Sequence, residues 1–313
     1  MVSESESSVL PMLNKMEAPV WKHWGPEPGE RILETGSPSR RVRVEEVGSG
    51  RPVLLVHGAS GYGPYWAPLV AELDGYRCLM LDRPGFGGSD PVDYSQTAYR
   101  DLAADLMIGV LDELGVDKVH LVGASMGDVW ALALASKCPD RVLSVALLGA
   151  GPLSDGVEVH MGLRLLRSPL GAVMSKVPWR ERMERGQARQ SGHGPALEDG
   201  RIPQSYVDWK VQMTNQTDWR LHERTMIQAI VGRKGWKPGV TFNTDDLTSL
   251  TVPLLMVCGT SDPGFEGFDW EGFIARAPNS AFVLLVGGGH EPWFEDPERV
   301  ADSLRGHFEK AVE

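Results

Sequence analysis

Short apolar runs separated by stretches of helical periodicity set the main limit on what this chain can fold into. Residues 53–56 (VLLV), 78–81 (CLML), 119–122 (VHLV), 142–148 (VLSVALL), 254–258 (LLMVC) and 282–286 (FVLLV) are too short for typical helices and almost free of polar side chains. Such runs suit strands buried on both faces, as in a parallel sheet. Residues 41–47 (RVRVEEV) alternate instead and read as an antiparallel strand with one wet face. Between the runs, Leu102, Leu106, Val110, Leu111 and Leu114 recur at helical spacing, with Gly115 as a C-cap. Near the C-terminus, Asp296-Pro297-Glu298 is a helix start, and Val300, Leu304 and Phe308 form the stripe that follows. The pattern predicts an α/β fold with a mostly parallel central sheet and helices on both faces.

The alternation breaks at Pro152 and resumes near Val252. The stretch between holds Trp179, Trp209, Trp219 and Trp236 and only helical or irregular patterns. It is far too long for a loop. The expected organisation is a core of residues 30–151 and 244–313, an inserted helical cap at 152–243 and a flexible N-terminal segment at 1–29. The cap's Trp and Met residues are either a pocket wall or the cap's own core.

A formal net charge of −11 argues against nucleic acid or an anionic membrane as the main partner. A small-molecule substrate is expected, with monomer and homodimer both open. The start, MVSESESSVLPMLN, lacks the basic and apolar regions of a secretory signal, and no apolar run reaches membrane-spanning length. Cys78, Cys138 and Cys258 form no CxxC pair and read as free, buried thiols rather than a disulfide framework or zinc site. The cytoplasm is the expected location.

Residues 119–135 (VHLVGASMGDVWALALA) run from a strand into a helix through Gly123-Ala124-Ser125-Met126-Gly127. A G-x-S-x-G turn there lifts a serine hydroxyl above the sheet edge, and the helix N-terminus adds positive potential where an oxyanion would form. With 36 glycines in 313 residues, chance order gives roughly 0.3 such matches, so the partners must decide.

They lie elsewhere in the chain. Residues 53–63 (VLLVHGASGYG) carry a strand into a loop whose Ala59 N–H, with that of Met126, is the candidate oxyanion hole. His57 in that loop is a second candidate base, but its place suits bracing the loop. His290, in Gly287-Gly288-Gly289-His290 after the last strand, is the candidate base proper. Asp262, after the preceding strand, is the candidate acid that fixes the tautomer of His290, with Asp155 as competitor.

At this point the chain resembles the α/β-hydrolase superfamily, in its capped, esterase-like branch, from about Arg31 onward. The pieces are His57-Gly58, LDRPGFGGSD (81–90), GASMG (123–127), GTSDP (259–263) and GGGHEPWFEDPERV (287–300). The resemblance implies a Ser125–Asp262–His290 triad and assigns Asp82, Arg83 and Ser89 to scaffolding. One departure is Asp128, where the family usually has a small residue. It is expected to cap or charge the first helical turn, with a substrate-facing role as the alternative.

A serine at the elbow suits acyl transfer rather than alkyl-enzyme chemistry. The expected function is an ester or lactone hydrolase of a small, largely apolar substrate, with no metal or organic cofactor. Carbon–carbon bond hydrolysis of a dienone-type substrate is the alternative, and a ligand-binding receptor or lyase on the same fold is a further one.

Overall fold

The computed structural model describes residues 9–25, 27–36, 38–59 and 61–311. Its centre is an eight-stranded sheet: β1 (Gly29–Thr35), β2 (Arg40–Gly48), β3 (Arg51–Val56), β4 (Tyr76–Leu81), β5 (Val119–Ala124), β6 (Val142–Leu148), β7 (Leu254–Gly259) and β8 (Ser280–Leu285). The spatial order is β1-β2-β4-β3-β5-β6-β7-β8. β2 is antiparallel to both β1 and β4, and every later pairing is parallel.

The strands are apolar throughout because both faces of the sheet are covered. In β3, Leu54 and Val56 join one hydrophobic cluster, with the helices Tyr99–Glu113 and Met126–Lys137. Val53 and Leu55 point the other way, into a second cluster with the helices Val9–Trp24 and Pro297–Lys310. Alternate residues of a strand face opposite sides, so a one-sided sheet would have needed polar residues at every second position. The final helix begins as expected, with the Asp296 side chain accepting the Arg299 N–H.

The segment leaving β6 runs through the helices Met161–Arg167, Pro169–Met174, Glu181–Gln190, Gly194–Glu198, Gln204–Gln216 and Trp219–Ile230 before the sheet resumes at β7. It adds no strand to the sheet, only an isolated bridge between Val231 and Trp236.

The N-terminal segment departs from expectation. Residues 1–8 lie outside the described residues. From Val9 to Trp24, where a flexible segment was expected, the chain forms a helix. Leu13, Met16, Val20 and Trp21 recur on one face, are buried, and pack in the second cluster. Glu17, on the same helix, bonds the buried Arg43 guanidinium at 2.7 Å. A polar first stretch hid an amphipathic helix behind it. β1 was also missed, since GERILET buries little beyond Leu33 and Thr35.

Candidate active site

β5 delivers Ser125 and the helix Met126–Lys137 carries the chain away. Ser125 has φ 53° and ψ −113°, and among the described residues it is alone among non-glycines in positive φ. A non-glycine residue held there stores strain. The flanking glycines are required by close approach. A Cβ on Gly127 would lie 1.8 Å from the Val56 carbonyl oxygen, and one on Gly123 would lie 2.7 Å from the Asp128 backbone. The elbow therefore packs against the end of β3, whose following loop carries Gly58 and Ala59. A Cβ on Gly58 would lie 3.3 Å from Ser125 Cβ.

His290 follows β8 and Asp262 follows β7. Asp262 Oδ2 accepts the His290 Nδ1–H at 2.9 Å. The carboxylate is only 1% exposed and also accepts the Ala150 N–H on Oδ2 and the Gly264 N–H on Oδ1, each at 2.8 Å. Burial alone would raise its pKa, but His290 and these N–H donors bring it below the usual carboxylate range. Burial likewise opposes charge on His290, yet the Asp262 carboxylate and its hydrogen bond raise the imidazole above its ordinary value. Ser125, His290, Asp262, Ala59 and Met126 all line one cavity of about 1290 Å³. Met126 opens its helix, where first-turn N–H groups have no intrahelical acceptor.

The competing residues sit elsewhere. Asp155 is exposed and accepts a hydrogen bond from the Thr241 hydroxyl. His57 is fully buried: its Nδ1 lies 2.7 Å from the Gly58 carbonyl and its Nε2 accepts the Arg83 N–H at 3.0 Å. Burial and the Arg83 charge push its pKa well below the ordinary imidazole value, which suits a brace rather than a base. Arg83 donates to the Gly58 carbonyl at 2.7 Å, and Asp82 accepts the N–H groups of Gly63 and Gly88. The 81–90 segment thus holds the loop after β3 at Gly58 and Gly63.

A family model of the α/β hydrolase fold matches residues 51–297. The chain belongs to this family. Over 145 residues it is 36% identical to a 2-hydroxy-6-oxononadienedioate/2-hydroxy-6-oxononatrienedioate hydrolase of Klebsiella pneumoniae, covering 44% of this chain and 50% of that one. Over 146 residues it is 39% identical to a 2-hydroxy-6-oxo-6-phenylhexa-2,4-dienoate hydrolase of Burkholderia cepacia, covering 43% and 50%. The chain thus matches about half the length of these curated relatives. Across the whole fold it resembles a thermophilic esterase of Thermogutta terrifontis, with a TM-score of 0.63, 25% identity and coverage of 91% and 99%.

The cavity of this α/β-hydrolase is walled on one side by residues 156–223, including Met161, Met174, Met183, Trp179 and Trp219. Trp209 instead packs fully buried on Tyr62, so the tryptophans between β6 and β7 divide between wall and core. Sequence reasoning missed the polar part of the wall. Lys210 is 5% exposed and its ammonium lies 5.9 Å from the rings of both Trp209 and Trp219. Nearby Glu223 is pushed up to about 8 by burial, against the opposing charges of Lys210, Arg83 and Arg220. Tyr65 also lines the cavity and donates to Glu291 Oε1 at 3.1 Å. In the sequence these are scattered single residues on helices of mixed polarity, with no motif to mark them.

Asp128 departs from its expected capping role. Its side chain caps nothing, and neither oxygen has a hydrogen-bond partner among the described residues. It is fully buried behind the elbow, and burial pushes its pKa well above the usual range, despite the lowering influence of the His290 charge. Its neutral form is favoured there.

Proposed function

We propose that the chain is a serine hydrolase that cleaves an ester or lactone of a small substrate through an acyl-enzyme on Ser125. The supporting observation is the Asp262–His290 pair at 2.9 Å, opening on the same cavity as the strained Ser125. In this reading the reacting form carries a neutral His290, the minority form at neutral pH because Asp262 raises the imidazole, and its free Nε2 takes the Ser125 proton as Oγ attacks the carbonyl carbon. The N–H groups of Ala59 and Met126 hold the tetrahedral oxyanion. His290 returns the proton to the leaving alcohol, then activates water to release the acid. Asp262 stays ionised throughout and stabilises the imidazolium. The three unpaired cysteines support action in a reducing compartment such as the cytoplasm.

A second reading is hydrolysis of a carbon–carbon bond beside a carbonyl in a dienone-type acid. The names of the curated relatives favour it, as do Lys210 and Arg220 in the cavity wall, whose charges suit an anionic substrate group. A panel of p-nitrophenyl esters of increasing chain length, lactones and a dienone acid, run with the wild type and Ser125→Ala, separates the two. Turnover of esters or lactones lost in Ser125→Ala supports the first reading. Turnover confined to the dienone overturns it in favour of the second, and no turnover with unimpaired ligand binding points to a receptor.

A further inference from the structure

A buried histidine stands where the segment before the helix Gly194–Glu198 meets the loop that carries His290. His193, just before the helix Gly194–Glu198, is 2% exposed and lies with Nε2 2.6 Å from Glu291 Oε2 and Nδ1 2.8 Å from Glu295 Oε1. Carboxylates only accept, so both ring nitrogens must carry protons to satisfy both contacts. The Glu291 backbone N–H also faces Nε2 at 3.3 Å, but the charged oxygen at 2.6 Å is closer and takes the bond.

The surrounding contacts all converge on the His290 loop. The His290 N–H donates to the Ser191 carbonyl at 2.8 Å, and Glu295 Oε2 accepts the Gly289 N–H at 3.0 Å. The fit is close: a Cβ on Gly289 would lie 2.5 Å from the His193 ring, and one on Gly192 would lie 2.4 Å from the Ser261 carbonyl oxygen. On the far side, Glu291 accepts from Tyr65, whose hydroxyl lies beside Gly58 of the oxyanion-side loop.

We propose that His193 is a positioning residue, an imidazolium supplied by the cap that is clamped between Glu291 and Glu295 and holds His290 in register with Ser125. The inference rests on the reading of Ser125 and His290 as the reacting pair. The charged and titratable groups around the clamp are Glu291 and Glu295 on the ring itself, Arg201 on the Glu295 carbonyl, and Tyr65, Tyr206, Lys210 and His290 around Glu291. The Phe294 ring packs edge-on, 5.5 Å away. Burial disfavours the imidazolium, but the two carboxylates outweigh it and raise the pKa to about 9. The clamp is therefore closed at neutral pH and opens in alkali.

Three measurements test this. The first is NMR titration of the His193 ring in the intact protein, which needs no substrate. Titration near pH 9 is expected, and an ordinary value near 6.5 overturns the clamp. The second is kcat and KM for p-nitrophenyl acetate from pH 6 to 10.5. Deprotonation of His290 affects both proteins alike, so the ratio of wild-type to His193→Gln kcat is the readout: it should fall through an alkaline limb near pH 9, from about tenfold or more at pH 7.5, with KM little changed. The third is Glu295→Gln, which keeps the ring and one carboxylate and should shift the limb to lower pH, a result readable even if His193→Gln fails to fold. An unmoved limb in Glu295→Gln, or wild-type kcat in a folded His193→Gln, overturns the proposal. Absence of ester turnover in the wild type, with His193 still titrating near 9, counts against the hydrolase reading and not against the clamp.

Discussion

Asp262 and His290 stand 28 residues apart in sequence and meet at 2.9 Å, carboxylate to Nδ1, because β7 and β8 end side by side at the same edge of the sheet. Parallel pairing places the loops after successive strands together, so two residues on different loops can be held as one unit. The Ala150 and Gly264 N–H groups fix the carboxylate from the other side. Asp262→Asn keeps the shape but favours the wrong imidazole tautomer. Ester turnover should fall by about 10³–10⁴-fold, with thermal unfolding little changed. Asp155→Asn should leave turnover near wild type. The reverse result would move the acid to Asp155.

Asp128 makes a prediction about stability and its pH dependence. Well below pH 4 the carboxyl is protonated in both the folded and unfolded chain. As pH rises, the unfolded carboxyl ionises near its ordinary value, while burial keeps the folded one protonated to much higher pH. The unfolded state therefore gains, and stability drains away until the folded carboxyl also ionises. Asp128→Asn lacks this drain. Urea unfolding should show the variant gaining on wild type between pH 5 and pH 8, by about 1–3 kcal/mol. A difference that does not change with pH would mean the carboxylate is ionised and satisfied.

Arg43 is 1% exposed and bonds Glu17, Glu30 and Asp82, with Glu45 3.4 Å away. Glu17, Glu45 and Asp82 are themselves buried, and Asp82 also holds the loop at Gly63. Arg43→Met removes the cation and leaves three buried carboxyl groups to share protons. The expected cost is about 3–5 kcal/mol in chemical denaturation at pH 7, shrinking at acid pH. A loss under about 1 kcal/mol would show that these carboxyls are already neutral.

Gly127→Ala tests the elbow's geometry. Its Cβ would fall 1.8 Å from the Val56 carbonyl oxygen, so the helix must move away from β3 or the turn must open. Either change shifts Ser125 from the loop at Gly58 and Ala59, and turnover should drop by about 10²-fold or more. Gly306→Ala, on the final helix where a Cβ meets nothing within 4 Å and away from the cavity, is the matched control and should stay active.

The sheet was legible because its strands are buried on both faces and so carry uninterrupted apolar runs, as in LLMVC and VLLV. The residues of the central pair were legible because each follows such a run. β1 was not, since an edge strand buries only part of one face. The Val9–Trp24 helix was hidden by the polar residues ahead of it. His193, Glu291 and Lys210 were invisible for a different reason. Their meaning comes from contacts between the helices that follow β6 and the loop after β8, and no local spacing in the sequence records them. Asp128 was visible as an oddity beside the elbow, but its burial was not, and burial decides its charge.

The central claim is that Ser125 is a nucleophile activated by His290. Labelling with a fluorophosphonate, followed by peptide mass spectrometry, tests it most directly. A single adduct on Ser125 is expected, abolished in Ser125→Ala and slowed strongly in folded His290→Ala. An unlabelled Ser125 in the folded wild-type protein, or labelling that proceeds equally fast without His290, would contradict it.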